Sequence, residues 1–362
     1  MEAKHGKTIN MTIFFKFVLP IIFSLILLFI NTSSSILNTV LYSIAMIPLA
    51  IMLGNQTSNM TEYIGEKKGG LLAATVGNIP ELMMGLWSIK YGMIGMAKAG
   101  LMGAVITNML LGLGLAVFFG GIQFKEQKFS KMIARTNFHL LLLAISSIII
   151  ISSLNKYGVI NGSKMVSVSV IVSCLLVGIY ILGLVFSLYT HRNLFVITKE
   201  RENSDYKKFG KEAFIILISM AIISSLLYFV SEKLIFNVNN IVKNYNISQE
   251  FIGIILIPLL GSFGENATSI VCAVDNKIDC SLETAIGSSI QIALFVTPLL
   301  IISSAIMGLN MTLVFSTFQI IMLIIAVAMS YFVFQDGKTY WLEGGVLTVT
   351  YLIITIAYYY LG

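Results

Sequence analysis

Polar residues interrupt this chain rather than forming one side of a repeating stripe. Apolar runs follow one another at Phe14–Ile30, Ile36–Leu53, Leu71–Ile89, Leu101–Phe119, Phe138–Ser153, Val166–Leu188, Phe214–Val230, Phe251–Val274, Thr284–Ile306, Leu313–Phe334 and Trp341–Leu361. A helix needs about 20 such residues to cross a bilayer, so the pattern predicts an all-α integral membrane protein with eleven spans. The shortest connection is the polar string Asn31-Thr32-Ser33-Ser34-Ser35. The first run follows Lys4 and Lys7, but its apolar core exceeds the roughly 7–15 residues of a secretory signal. It is therefore read as a span.

Composition agrees with this pattern. Of 362 residues, 57% are hydrophobic and 11% charged, against about 45–50% and 25% in soluble domains. A soluble fold is excluded, and too little chain remains for a separate catalytic domain of about 100 residues. The net charge of +6 reflects topology rather than nucleic acid, because the basic residues sit in short connections with no interleaved aromatics. Assigned to alternate sides, 17 Lys and Arg fall with the N-terminus and 6 opposite it. The positive-inside rule then puts the N-terminus in the cytoplasm. The longest connection, His191 to Glu212, divides the chain into an N-terminal segment (1–35), a first half (36–190), a connecting loop (191–212) and a second half (213–362).

The remaining reactive residues form no catalytic or metal pattern. Cys174, Cys272 and Cys280 lack zinc or disulfide spacing and are read as packing residues. His5, His139 and His191 are scattered singly, which disfavours a histidine metal site. No nucleophile–base set or phosphate loop is placed to work. The expectation is a transporter without a cofactor, not an enzyme.

Self-similarity appears at an offset of 184 residues, relating GNIPELMMG at Gly77 to GSFGENATS at Gly261, and Gly103 and Thr107 to Gly287 and Gln291. Five spans separate the copies, an odd number, so they are expected to face opposite ways as an inverted repeat. Such repeats with interrupted helices point to a secondary transporter whose site lies near the midplane.

Among 17 acidic residues, Glu81 and Glu265 are read as the two set well inside apolar runs, the rest falling in loops or near span ends. A carboxylate at that depth costs about 2.5–3.5 kcal/mol on insertion scales and marks function. Gly77 and Pro80 precede one, and Pro258, Gly261 and Gly264 the other. These residues weaken the helix and free carbonyl oxygens, which is tolerated only where the backbone is buried or lines a cavity. With the side chains of Asn78, Ser262 and Asn266 they define an all-oxygen site for a hard cation, Ca²⁺ foremost and Mn²⁺ also permitted. Thr107 and Gln291 are read as either ligands or interhelical polar glue. Two ionised glutamates are neutralised by one divalent cation or by two protons. A site costly only when empty crosses the membrane loaded, which describes an antiporter.

The segments TEYIGEKKGGLLAATVGNIPEL (61–82), GAVITNMLLGLGLAVFFGG (103–121) and DNKIDCSLETAIGSSIQIALFVTPLL (275–300) resemble the Ca²⁺/H⁺ antiporter family, the cation/proton exchangers. The resemblance implies two inverted five-helix halves after an extra first helix, with Glu81 and Glu265 binding cation and proton. It also implies support from Asn78, Asn108 and Gln291 and a proton-linked role for Glu62. The chain departs from the family's motifs in having Ile79-Pro80 before Glu81, and Ser262 and Asn266 around Glu265 where Asn and His are usual. The Pro80-Glu81 pair keeps a Na⁺/Ca²⁺ exchanger open as an alternative, and acidic residues ringing a pore would make a cation channel. The expected partners are Ca²⁺, H⁺ and the bilayer, and a homo-oligomer is compatible. The expected membrane is the plasma membrane in a prokaryote, and a vacuolar or other organelle membrane in a eukaryote.

Overall fold

A computed structural model describes residues 18–160, 162–190 and 210–361. Residues 191–209, most of the expected connecting loop, lie outside the described residues, as does the start of the first expected span. Helix α1 covers Leu19–Phe29. The long α2 runs from Ser35 to Val76, and α3 from Ile79 to Lys90. Next come α4 (Ile94–Ile106), a π-helical turn (Thr107–Gly112) and α5 (Leu113–Phe124), which together form one continuous span. They are followed by α6 (Lys131–Lys156) and α7 (Ser163–Val185).

The second half contains α8 (Lys211–Tyr245), α9 (Gln249–Gly261) and α10 (Phe263–Val274). Helix α11 (Ile278–Gln291), a second π turn (Ile292–Val296) and α12 (Thr297–Ile306) again form one span. Helices α13 (Thr317–Phe334) and α14 (Trp341–Leu361) complete the chain. Among the described residues eight helices are long and apolar enough to cross a membrane, and nine with the bent pair α9–α10 counted as one. The two other expected spans are α1, described over only 11 residues, and Leu71–Ile89, which is split at Gly77.

One expectation about connections is corrected. The runs Ile36–Leu53 and Leu71–Ile89 were expected to be joined by a loop, but α2 continues unbroken to Val76. No proline occurs between Pro48 and Pro80, and Gln, Glu and Lys in the connection are good helix formers. The helix stops where Gly77 and Asn78 stop it.

The two interruptions share a backbone geometry. Asn78 has φ −96° and ψ 18°, and Ser262, 184 residues later, has φ −85° and ψ 11°. Both fall in the sparsely populated bridge region. Pro80 opens α3, where its missing N–H leaves no helical bond unmade. Helices α9 and α10 meet at 59°.

The two π-containing spans are central, with 83% and 72% of their apolar windows buried, against 22% for α7 and 28% for α8 and α14. Ile150, Leu175, Ile215 and Ile356 on outer helices are exposed, as lipid-facing residues should be. Close packing at the centre relies on missing side chains. A Cβ on Gly253 would lie 2.5 Å from the Met96 carbonyl oxygen, and one on Gly103 2.7 Å from that of Ile254. Helices α4 and α9 thus touch backbone to backbone.

Two groups of hydrogen bonds tie the connections down. In one, strands β1 (Gln127–Lys128) and β2 (Lys338–Thr339) pair antiparallel. Gln127 also donates to the Ala273 carbonyl (2.8 Å), and the Ser130 N–H donates to Asp279 (2.7 Å). In the other, Lys233 donates to the Leu28 carbonyl (2.7 Å), Asn38 to Asn237 (3.2 Å) and Lys98 to the Val314 carbonyl (2.7 Å). Lys98 is thereby held toward the connection after α12, away from the buried acids.

Candidate functional site

Each interruption places a glutamate in the first turn of the helix that follows it. Glu81 is 1% exposed and accepts a hydrogen bond from Ser262 Oγ at 2.8 Å. The residue that breaks the second half's helix therefore supports the carboxylate of the first. Gly261 makes room for this contact, since a Cβ there would lie 2.5 Å from Glu81 Cδ. Glu265 accepts from Ser288 Oγ, and Ser288 accepts in turn from Asn108 Nδ2 at 3.0 Å. Asn78 Nδ2 donates to Gln291 Oε1 at 2.5 Å. Three of these four bonds join the two halves of the sequence.

What these bonds leave over is chemically uniform. Glu81 Oε2, Asn78 Oδ1, Asn108 Oδ1 and Thr107 Oγ1 are buried and have no hydrogen-bond partner among the described residues. An unsatisfied buried polar atom costs about 1–3 kcal/mol, so these oxygens favour a ligand or water that satisfies them. Oxygen is the donor that Ca²⁺ and Mg²⁺ prefer, whereas zinc sites are usually built on His nitrogen or Cys sulfur. Among the described residues no three His, Cys, Asp or Glu side chains group together, so the charge here is that of two carboxylates with neutral oxygens around them.

A cavity of about 690 Å³ opens onto Glu265. Its wall includes Gly54, Thr57 and Ser58 of α2, together with Gly77, Gly261, Gly264, Ser288 and Gln291. The helix-breaking glycines Gly77, Gly261 and Gly264 thus line space, and Pro80 is buried. Both π turns begin here, at Thr107 and just after Gln291. π-helical turns often occur at functional sites.

The structure brings together Asn78, Glu81, Asn108, Ser262, Glu265 and Gln291, and buries Thr107 next to Asn108 at the start of the first π turn. Asn266 instead packs its side-chain oxygen against Gly112 at the end of the first π turn. Glu62 is exposed on α2, one turn beyond Ser58, the last α2 residue in the cavity wall. Two polar residues were not anticipated. Ser288 bridges Asn108 and Glu265, and nothing local distinguishes its hydroxyl from those of other span serines. Glu283, read as lying at a span end, is half-buried in the second turn of α11 and lines the same cavity. Its spacing of four and eight residues from Gly287 and Gln291 was the available signal.

Interrupted helices, paired π turns and a buried oxygen cluster define a multi-pass membrane protein of the cation-exchanger class. The chain belongs to the sodium/calcium exchanger protein family, which matches residues 18–189 and 213–360, and within it to the Ca²⁺/H⁺ antiporter branch. It is 34% identical over 325 residues to the Ca(2+)/H(+) antiporter ChaA of Bacillus subtilis (strain 168), covering 88% of this chain and 91% of that protein. It is 34% identical over 322 residues to vacuolar cation/proton exchanger 2 of Arabidopsis thaliana, covering 86% and 73%. The solved structure of native YfkE superposes with a TM-score of 0.77 at 30% identity, covering 94% of this chain and 96% of that one. These relatives carry transporter names, in keeping with the expectation of a transporter rather than an enzyme.

Proposed function

We propose that this protein exchanges Ca²⁺ for H⁺ across a membrane by alternating access to a site centred on Glu81 and Glu265. One observation carries the reading: each half contributes a carboxylate at a helix break, and four buried oxygens beside the pair lack partners. Two ionised carboxylates match the charge of one Ca²⁺ or two protons. The empty site holds unbalanced charge among apolar helices, so exchange is favoured over leak. In the loaded states Asn78, Thr107 and Asn108 supply neutral oxygens, while Ser262 and Ser288 hold the two carboxylates in place.

The reading includes two inverted five-helix halves after an extra first helix. The sorting of the connections supports it. The end of α10 shares the set containing Gln127 and Thr339. The end of α3 is tied by Trp87 to the Tyr228 carbonyl (3.2 Å), beside the set containing Lys98 and Lys233. The two glutamate-bearing helices then run in opposite directions. The N-terminus is assigned to the cytoplasm on the distribution of basic residues.

The deciding experiment separates counter-ions. In proteoliposomes, Ca²⁺ uptake is driven by an outward proton gradient with Na⁺ absent, then by an outward Na⁺ gradient with pH clamped. The proposal expects uptake in the first case only. The Pro80-Glu81 pair keeps the Na⁺/Ca²⁺ alternative open, and uptake in the second case alone would establish it. Mn²⁺ in place of Ca²⁺ tests the breadth of cation choice.

A further inference from the structure

A second cavity, of about 520 Å³, lies between α6, α7 and α11. Three residues line both it and the cavity that contains Glu265: Glu283, Gly287 and Gln291. They follow at intervals of four along α11 and so share one face. That face is the partition between the cavities. Gly287 thins it, with nothing within 4 Å of where a Cβ would stand. Gln291 reaches the binding site through its bond with Asn78.

At the other end of this face, the Glu283 carboxylate has no hydrogen-bond partner among the described residues. Among the described residues no Lys or Arg lines either cavity. The titratable groups among the described residues that share a cavity wall with Glu283 are His139 and Tyr180 from α6 and α7, and Glu265 and Cys272 from α10. Asp279, one turn earlier on α11, already accepts from the Ser130 N–H. Oxygen-bearing Asn55, Thr57, Ser58, Thr268 and Thr284 complete the wall on the Glu265 side. An uncompensated carboxylate in a cleft between low-dielectric protein walls concentrates the field and raises the local cation concentration.

We infer that Glu283 is a staging site for the divalent cation, holding it in the vestibule before transfer to the paired glutamates. This rests on the proposed exchange reaction. The role is electrostatic and governs capture, so it acts on the apparent affinity for Ca²⁺ rather than on the exchange step. In water, a unit charge acting on a divalent ion about one Debye length away, ~8–10 Å, corresponds to roughly four- to sixfold in occupancy, and salt weakens it.

The test measures Ca²⁺ uptake into proteoliposomes for wild type, Glu283→Gln, Glu283→Asp and Glu265→Gln, at low and high ionic strength. Glu283→Gln is expected to raise the KM for Ca²⁺ about four- to sixfold at low salt and less at high salt, with maximal rate within about twofold. Glu283→Asp, which keeps the charge, should stay within about twofold of the wild-type KM. That expectation stands where the Gln variant fails to fold. Moving the charge one turn along the same face, with Gly287→Asp in the Glu283→Gln background, should restore the KM. An unchanged KM in Glu283→Gln, a KM raised in Glu283→Asp as far as in Gln, or no rescue by Gly287→Asp would each overturn the inference. Normal transport by Glu265→Gln in the same vesicles would instead overturn the paired-glutamate reading.

Discussion

Gly261 offers the sharpest structural test, because its replacement by alanine adds one methyl group at a known place. That Cβ would lie 2.5 Å from Glu81 Cδ, 2.6 Å from Oε1 and 2.7 Å from Cγ. Ordinary carbon contacts begin near 3.5–4.0 Å, so the carboxyl group must retreat by roughly 1 Å. Retreat is constrained, because Glu81 is 1% exposed and tied to Ser262 at 2.8 Å. Overpacking of this kind costs about 1–3 kcal/mol. Ca²⁺–oxygen distances span only about 2.3–2.6 Å, so a displacement of that size removes a ligand. Taking the penalty as lost binding, the apparent KM for Ca²⁺ should rise about five- to 150-fold, with 1.4 kcal/mol per factor of ten.

Gly54 provides the control. It lines the same cavity, and nothing stands within 4 Å of its Cβ position. Gly54→Ala should leave the KM within about twofold. Both variants are assayed by proton-driven Ca²⁺ uptake into proteoliposomes, with thermal stability in detergent as a check on folding. A Gly261→Ala protein with wild-type KM would show that Glu81 does not bind the cation in the position described.

Asn78 and Gln291 should be coupled: single alanine variants each weaken Ca²⁺ transport, and the double-mutant cycle should give about 0.5–1.5 kcal/mol for their bond. Additive effects would mean that the bond is absent in the working protein. Ser288→Ala removes the donor to Glu265 and the acceptor for Asn108, and should reduce maximal exchange about tenfold or more, whereas unchanged exchange would put Ser288 outside the site. Outside the membrane, Tyr340 donates to Glu126 at 2.9 Å, with Lys338 and Lys128 nearby, and holds that carboxyl below its ordinary range. Its folded pKa being depressed, any stability it contributes is present above the unfolded carboxyl pKa and is lost as pH falls through the folded value. Tyr340→Phe should raise the Glu126 pKa toward the ordinary carboxylate value, read by NMR of labelled glutamate, and an unmoved pKa would assign the depression to the lysines.

The parts of the site legible in the sequence were those that violate the rules of a bilayer helix. Glu81 and Glu265 appear as charges within apolar runs, and Gly77, Pro80, Gly261 and Gly264 as helix breakers beside them. Asn108 stood out only through the resemblance. What was not legible depends on contacts between distant segments. Ser262 supports Glu81 across 181 residues and Asn108 supports Ser288 across 180, and no local pattern encodes either pairing. Glu283 was passed over for a different reason. Hydropathy marks where an apolar run begins, but α11 begins at Ile278, because its first turns pack against neighbouring elements and tolerate polar residues. The continuity of α2 past Leu53 was missed in the same way, since a polar connection can still be helical.

The central claim is that one pair of carboxylates carries both ions, and Ca²⁺ affinity measured as a function of pH on the Ca²⁺ side tests it most directly. The assay takes wild type, Glu81→Gln and Glu265→Gln in matched proteoliposomes, with folding verified by thermal stability. Protonating either glutamate removes half the site's charge. The wild-type apparent affinity should therefore fall steadily as pH is lowered over about two units, and each Gln variant should lose proton-driven Ca²⁺ uptake while remaining folded. An affinity unchanged across that range, or near-wild-type uptake by either variant, would contradict the claim.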